Sequence, residues 1–313
     1  HAERNALAHC TESPRGATIY VTLEPCCHTG KQPPCVDAIL ENGLGRVVVG
    51  SSDHNPLVAG KGIERLRAQG VQVDTGVLQD ECDRLNDVFF HFIQTKMPYV
   101  VLKYAMTMDG KIATYTGASK WITGEKARER VHADRSRYRS ILVGVGTVLA
   151  DDPMLNCRIE GGRDPIRIVC DTNLRTPLTA QLVQTAHDIP TILATCCTDP
   201  ARHAAYEAAG CRVLVLPEDK GHVSLPALLT QLGQESIDSV YIEGGATIHA
   251  AALESGLVSK VQTYLAPKLF GGRDAPSPIG GQGVALPAQA VQLQNSTITQ
   301  LGDDILIESE VKH

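Results

Sequence analysis

The chain has 313 residues, enough for two domains that each build a core. Its 43% apolar and 20% charged residues describe an ordinary globular protein, and a net charge of −6 leaves no basic footprint for nucleic acid. No run approaches the ~18 apolar residues of a membrane-spanning helix and no signal-peptide pattern opens the chain, so it reads as soluble and cytoplasmic. The ten cysteines are spread too widely for a disulfide framework. Cys157, Cys170, Cys196, Cys197 and Cys211 lie beside or within apolar runs and are expected to be buried free thiols.

In chain order, residues 17–23 are rich in β-formers and predict a strand. A helix follows over 35–43, entered by Pro33-Pro34 and closed by Gly43. Residues 46–50 predict a buried strand, 62–69 a helix and 71–73 a strand, a βαβ rhythm that implies largely parallel pairing. A single helical run is expected over 80–95, ending before Pro98, which marks a domain boundary. Beyond it a second α/β series begins. Strands are predicted at 99–103, 140–144, 166–170, 191–195, 212–216 and 239–243, with a helix from about 124 to 136. The reading is therefore two α/β domains, 1–97 and 98–313.

Two short segments carry chemistry in the first domain. His1-Ala2-Glu3 precedes Thr22-Leu23-Glu24-Pro25-Cys26-Cys27-His28-Thr29-Gly30-Lys31-Gln32-Pro33-Pro34-Cys35. One imidazole, two thiols and a carboxylate free of the metal are the parts of a zinc hydrolytic deaminase, where three ligands leave one position for water. Adjacent side chains in an extended run diverge, so Cys26 and Cys27 cannot readily share one zinc. The expected ligands are His1, Cys26 and Cys35. Zinc lowers the pKa of water to roughly 7, and Glu3 is the group expected to carry its proton to the ring and the leaving ammonia. Asp53 and Asn55, just after the 46–50 strand, stand where α/β sites gather, though Ser51 to Pro56 also suits an Asx turn.

H-A-E followed by T-L-E-P-C-x-H-x-G-K-x-P-P-C closely resembles the bifunctional riboflavin-biosynthesis deaminase/reductase family. The spacing between the two thiol ligands separates that family from cytidine and tRNA-adenosine deaminases, and the likeness runs through nearly the whole chain. It implies an N-terminal cytidine-deaminase-like, three-layer α/β/α zinc domain followed by a dihydrofolate-reductase-like α/β domain. In that family a helix and a strand pair precede H-A-E, so the first domain is expected to be truncated at its start, lacking edge structure and part of its pocket. His28 and Lys31, with Asp53 and Asn55, would face the substrate.

The second motif set begins at Lys103 to Ala113, continues through Ser119 to Gly124, Ala133 to Arg135 and Gly144 to Arg158, and closes on Glu243 to Ile248. Each block is expected to end a strand or start a helix, where backbone amides can face a phosphate. Gly244-Gly245 is not part of a G-x-G-x-x-G fingerprint, so a Rossmann assignment does not follow. The resemblance implies that NADPH is held by Ala105, Trp121, Thr147, Asp151, Thr172 and a turn comprising Gly245, Ala246, Thr247, Ile248, His249, Ala250 and Ala251. Ser119, Arg135, Leu155, Arg158 and Glu243 would contact the ribosyl phosphate substrate. Arg135 and Arg158 suit bidentate contact with a phosphate. Lys103 and Asp109 are candidate proton-relay or orienting groups. NADPH is expected over NADH, yet no single Arg stands out for its 2′-phosphate.

The implied function is two activities in series. The first is hydrolytic deamination of 2,5-diamino-6-(5-phosphoribosylamino)pyrimidin-4(3H)-one, and the second is NADPH-dependent reduction of the ribosyl group to ribityl. The partners implied are a phosphorylated pyrimidine, Zn2+, NADPH and further copies of the chain in a homodimer or larger homo-oligomer. The competing readings are a monofunctional reductase beside an inactive deaminase domain, and a zinc-stabilised binding protein. A closed four-ligand metal site would favour the last.

Overall fold

The computed structural model describes residues 1–29, 32–55 and 59–313. Two compact units divide the chain, His1–Lys96 and Met97–His313.

The first unit runs α1 (Ala2–Ala8), β1 (Thr18–Leu23), α2 (Cys35–Glu41), β2 (Arg46–Ser51), α3 (Lys61–Ala68), β3 (Gln72–Thr75), α4 (Gln79–Leu85) and α5 (Asp87–Thr95). Its sheet has the order β1-β2-β3 and is parallel throughout. Alternation across the central strand sorts the layers. Val47 and Val49 pack with Val36 and Ile39 of α2 and with Ile63 and Leu66 of α3. On the other face, Cys82 of α4 presses against Gly50, where a Cβ would meet its sulfur. Helices thus cover both faces of the sheet. The 80–95 run is two helices, not one. Asn86 stops α4, its side-chain amide donating to the Cys82 carbonyl and competing with the backbone ladder.

The second unit runs β4 (Tyr99–Thr107), α6 (Glu125–Arg137), β5 (Ser140–Gly144), α7 (Val145–Asp151), β6 (Ile166–Cys170), α8 (Gln181–Gln184), β7 (Thr191–Thr195), α9 (Pro200–Ala208) and β8 (Arg212–Val215). A short pair, β9 (Glu218–Asp219) and β10 (His222–Val223), leads to α10 (Leu225–Gln234), β11 (Ser239–Ile242) and α11 (Ala246–Glu254). The chain closes with β12 (Lys260–Ala266), β13 (Leu293–Leu301) and β14 (Asp304–Val311). Nine strands form one sheet in the order β13-β14-β12-β4-β11-β5-β6-β7-β8. From β12 to β8 every pairing is parallel, whereas β14 and β13 join antiparallel.

Those last three strands escape the sequence prediction. Their burial alternates or vanishes, and β13 is exposed along almost its whole length, so no apolar run announces them. The inner strands are easier to read because both faces are covered. Leu142, Ile168 and Ile192 meet α10 and α11, while Ile141, Val143, Val169 and Leu193 meet α7, α8 and α9. Of the cysteines expected to be buried, Cys170 and Cys211 are, but Cys157, Cys196 and Cys197 are only half-buried near loop ends.

Arg167 pins the loop that follows α7. Its guanidinium is fully buried and donates to the carbonyls of Met154, Leu182, Thr185 and Ile189 and to the hydroxyls of Thr185 and Thr191. Burial pulls its pKa down to about 10, so it stays charged at neutral pH. Each buried carbonyl it serves would otherwise cost ~1–3 kcal/mol in lost solvation, which explains a central Arg where an apolar residue would pack as well. No helix is long and apolar enough to cross a membrane among the described residues.

Candidate active sites

In the first unit β1 ends beside the loop that carries Cys26, and α2 begins at Cys35. The helix α1, which starts next to His1, lies against α2 and brings the imidazole to both thiols. His1 Nδ1 stands 3.2 Å from Cys35 Sγ and 3.4 Å from Cys26 Sγ. A tetrahedral zinc with ordinary Zn–N and Zn–S bonds would hold such atoms ~3.5 Å apart. All three ligand atoms lie within 4.8 Å of one another, and no fourth His, Cys, Asp or Glu joins them among the described residues. The donor set therefore fits zinc with a position left over. Cys27 turns away and packs on the Val36 cluster.

The Glu3 carboxylate accepts from Cys35 Sγ at 3.5 Å, adjacent to the ligands without being one of them. Burial, then Glu3 and Cys26, push the Cys35 thiol well above its ordinary range. Ionising it therefore calls for a cation at this spot. A cavity of about 630 Å³ opens over the cluster and is lined by Glu3, Cys26, His28, Asp53 and Asn55 among others. His28 Nδ1 is buried there with no protein partner among the described residues, a polar atom available to a ligand. Lys31 lies outside the described residues. The Asn55 N–H donates to Asp53 Oδ1 at 2.7 Å in an Asx turn, and both residues line the cavity.

Sequence reading passed over Glu24. Its buried carboxylate accepts from the backbone N–H groups of Asp53, Gly60, Gly62 and Ile63 at 2.9–3.3 Å, fastening the loop after β2 to the segment that leads to Cys26. Gly62 makes the approach possible, since a Cβ there would lie 2.2 Å from the Pro25 carbonyl oxygen. The signal was present in T-L-E-P-C, but a Glu looks the same in sequence whether it reaches solvent or a helix start. Phe89 of α5 and Tyr20 of β1 complete the apolar walls.

In the second unit the register brings β4, β11 and β5 level, with Ile242 facing Leu102 on one side and Leu142 on the other. Glu243 therefore emerges beside Lys103. Arg135 grips Glu243 through two bonds, 2.6 and 2.9 Å long, and donates a third to the Asn156 carbonyl at 3.0 Å. Lys103 Nζ is 3.6 Å from the same carboxylate. Burial alone would raise the Glu243 pKa, but Arg135 and then Lys103 outweigh it and hold the group at about 2. Lys103 itself is pushed down by burial, which Glu243 offsets only in part. Arg135 is on the last turn of α6, not at a helix start as expected, and reaches the cluster along that helix. Leu155 is buried in a left-handed conformation, and Arg158, exposed, donates to the Asn156 side chain. His132 was not foreseen. Burial, then the charges of Arg135 and Arg158, lower its pKa and so disfavour an imidazolium beside this cluster.

The pairing makes a pH prediction. A carboxyl whose pKa falls from 4.5 to about 2 on folding stabilises the protein above pH 4.5 and loses that contribution as pH drops toward 2. Glu243→Gln should accordingly lower the thermal midpoint at neutral pH and flatten its dependence between pH 4.5 and 2. Superimposable acid limbs for the two proteins would dismiss the ionised pair as a source of stability.

Beside this cluster lies a cavity of about 520 Å³, the size of a small-molecule site. Ser119, Thr147, Asp151, Thr172, Gly245, Ala246, Thr247, Ile248 and Ala251 line it. It sits where the strand order turns: β5 leads outward to β6, β7 and β8, while β11 and β4 lie on its other side. Gly244 at φ 120° adopts a backbone only glycine takes readily, and α11 begins one residue after Gly245 with no side-chain cap. Its first amides are thus available to a pyrophosphate. The 245–251 segment is the start of α11, not a turn. His249 and Ala250 are on its buried side, where His249 Nδ1 donates to the Pro278 carbonyl.

Ala105 and Trp121 do not line the cavity. Ala105 pairs with Tyr264 inside β4, and Trp121 is 61% exposed with Arg128 stacked 4.6 Å over its ring. Asp109 accepts from the Thr107 hydroxyl and from the amides of Phe270 and Gly271, which hold its carboxyl at about 2. It orients a turn and has no bond to the Lys103 cluster among the described residues.

Residues 98–307 match the RibD C-terminal domain, and residues 1–51 match the cytidine and deoxycytidylate deaminase zinc-binding region. The chain is 54% identical over 308 residues to the riboflavin biosynthesis protein RibD of Actinobacillus pleuropneumoniae, covering 98% of this chain and 82% of that protein. Against RibD of Escherichia coli K12 it is 38% identical over 320 residues, covering 98% and 85%. Among solved structures, Acinetobacter baumannii RibD superposes with a TM-score of 0.85 at 34% identity, covering 100% of this chain and 86% of that one. A Thermotoga maritima diaminohydroxyphosphoribosylaminopyrimidine deaminase/5-amino-6-(5-phosphoribosylamino)uracil reductase does so at 0.81 and 35%, covering 100% and 85%.

Proposed function

We propose, because this chain belongs to the RibD family of riboflavin-biosynthesis proteins, that its two cavities are the deaminase and reductase sites of one bifunctional enzyme. The observation that carries the reading is the trio His1 Nδ1, Cys26 Sγ and Cys35 Sγ within 4.8 Å, with the Glu3 carboxylate 3.5 Å from Cys35 Sγ and a cavity above. The residues would hold zinc, which when bound supplies the Lewis acidity that lets water ionise near neutral pH. Glu3 takes the water proton, gives it to the ring, and then protonates the departing amine, so that one water enters and one ammonia leaves. His28, Asp53 and Asn55 orient the pyrimidine, and Lys31 meets its phosphate.

In the second unit NADPH, when bound, supplies a hydride to C1′ of the opened ribosyl group. The uncapped start of α11 takes the pyrophosphate and Ser119 faces the reacting end. Arg135 and Glu243 hold the sugar phosphate and its hydroxyls, with Arg158 as a second cation. Lys103, with its pKa lowered by burial, is placed to give the proton that balances the hydride. These assignments correspond to EC 3.5.4.26 and 1.1.1.193 activities carried by domains 1–97 and 98–313. The chain is proposed to be cytoplasmic and to self-associate. A long exposed edge such as β13, with Ile298 72% exposed, supports association, because bare edges invite pairing.

The test is sequential turnover by the purified chain. Ammonia release from the diamino substrate should depend on zinc, and NADPH absorbance should then fall without added deaminated intermediate. A chain that oxidises NADPH only when given that intermediate would restore the monofunctional reading.

A further inference from the structure

The second cavity contains the cation that the sequence did not single out. Strand order orients any dinucleotide in it. In the order β4-β11-β5-β6, the start of α11 follows β11, the start of α7 follows β5, and the loop after β6, with Thr172 and Arg175, forms the side of the cavity away from β4 and its Lys103. A cofactor with its pyrophosphate at α11 and its reacting ring toward Lys103 must run its adenosine toward β6. There the wall is Cys170, Thr172 and Arg175, with Leu225 above.

The 171–176 turn is braced from within and leaves Arg175 pointing outward. Asp171 is fully buried, and its Oδ2 accepts from the Thr176 N–H at 2.7 Å and the Thr176 hydroxyl at 2.8 Å. Leu174, in a left-handed conformation, is sunk in the core. Arg202 donates to the Asn173 carbonyl at 2.6 Å and Tyr206 to the Thr176 carbonyl at 2.8 Å, so the turn is braced from below. Between buried Leu174 and buried Thr176, Arg175 is exposed and lines the cavity, together with Thr172 of the same turn. It makes no ion pair among the described residues, and it is the only Lys or Arg among those lining this cavity.

Dinucleotide sites tell the two cofactors apart at the adenosine ribose, by a carboxylate on a 2′-hydroxyl or an Arg on a 2′-phosphate. Here the acidic residue after β6, Asp171, is locked inside, and the exposed group is a guanidinium. Asp151 on the α7 side can still accept from a ribose hydroxyl. We propose that Arg175 is the specificity residue that binds the adenosine 2′-phosphate and makes the reductase prefer NADPH to NADH. This rests on the reading of the cavity as the NADPH site. The guanidinium offers paired donors to two phosphate oxygens, an interaction Lys matches in charge but not in geometry.

Calorimetric titration with adenosine 2′,5′-bisphosphate and with ADP tests the assignment apart from turnover. Arg175→Gln should weaken the bisphosphate about 10–100-fold, as for loss of a charged hydrogen bond, and leave ADP unchanged. Arg175→Lys should recover part of the loss. In steady state the KM for NADPH should rise by a similar factor, with kcat and the KM for NADH unaltered. Equal weakening of both nucleotides, or of neither, would overturn the role of Arg175 while wild-type NADPH oxidation persists. Failure of the wild type to oxidise NADPH at all would overturn the cavity reading and this inference with it. Arg175 is exposed, so an unchanged melting curve is expected and separates either result from misfolding.

Discussion

Replacing Glu3 with Gln is expected to cut deamination by about 10²–10⁴-fold while bound zinc stays near one per chain. Gln keeps the size and the hydrogen-bonding reach of Glu but cannot accept a proton. Glu3 sits beside Cys35 without completing the ligand set, so its loss should spare the metal. Ammonia release gives the rate and metal analysis the occupancy. NADPH oxidation supplied with deaminated substrate should be unaffected, because Lys103, Glu243 and the second cavity belong to the other unit. Undiminished ammonia release in the variant would remove Glu3 from the proton path. Loss of zinc together with activity would make it a ligand.

The second large effect concerns the metal itself. Cys35→Ser should lose most bound zinc, whereas Cys27→Ser should retain it. Cys35 opens α2 and is fully buried within 3.2 Å of His1 Nδ1, and a serine hydroxyl there is a far weaker zinc ligand than a thiolate. Cys27 packs among the Val36 cluster, so its variant should show only a small packing cost. Since metal binding and local folding are linked, the Cys35 variant should also melt earlier than wild type in zinc. Equal zinc loss in both variants would sink the ligand set.

Much of the fold was legible because its core strands are continuous apolar runs. Residues 46–50, 140–144 and 166–170 are covered on both faces, and that condition writes itself into the sequence. The antiparallel end formed by β12, β14 and β13 was missed for the opposite reason, because polar residues interrupt all three strands and β13 is exposed along almost its whole length. The split at Asn86 was missed because one side-chain bond to Cys82 decides it.

The grouping of His1, Cys26 and Cys35 was the most legible part of the candidate sites. Zinc chemistry restricts ligand type and number, and His1, Cys26 and Cys35 lie on segments whose spacing already selects among the cysteines. The sequence by itself therefore determined the chemistry of the first unit and its family. It could not determine which charged groups spend their charge on the protein. Arg135 and Glu243 pair with one another at the proposed substrate site, Asp109 and Asp171 hold turns, Glu24 fastens the loop bearing Asp53, and Arg175 lines its cavity with no ion pair among the described residues. A carboxylate or guanidinium carries the same formal charge wherever it stands. Only folding decides whether its partner is a buried amide, an opposite charge or an approaching ligand, because desolvation penalises every charge that is buried without one.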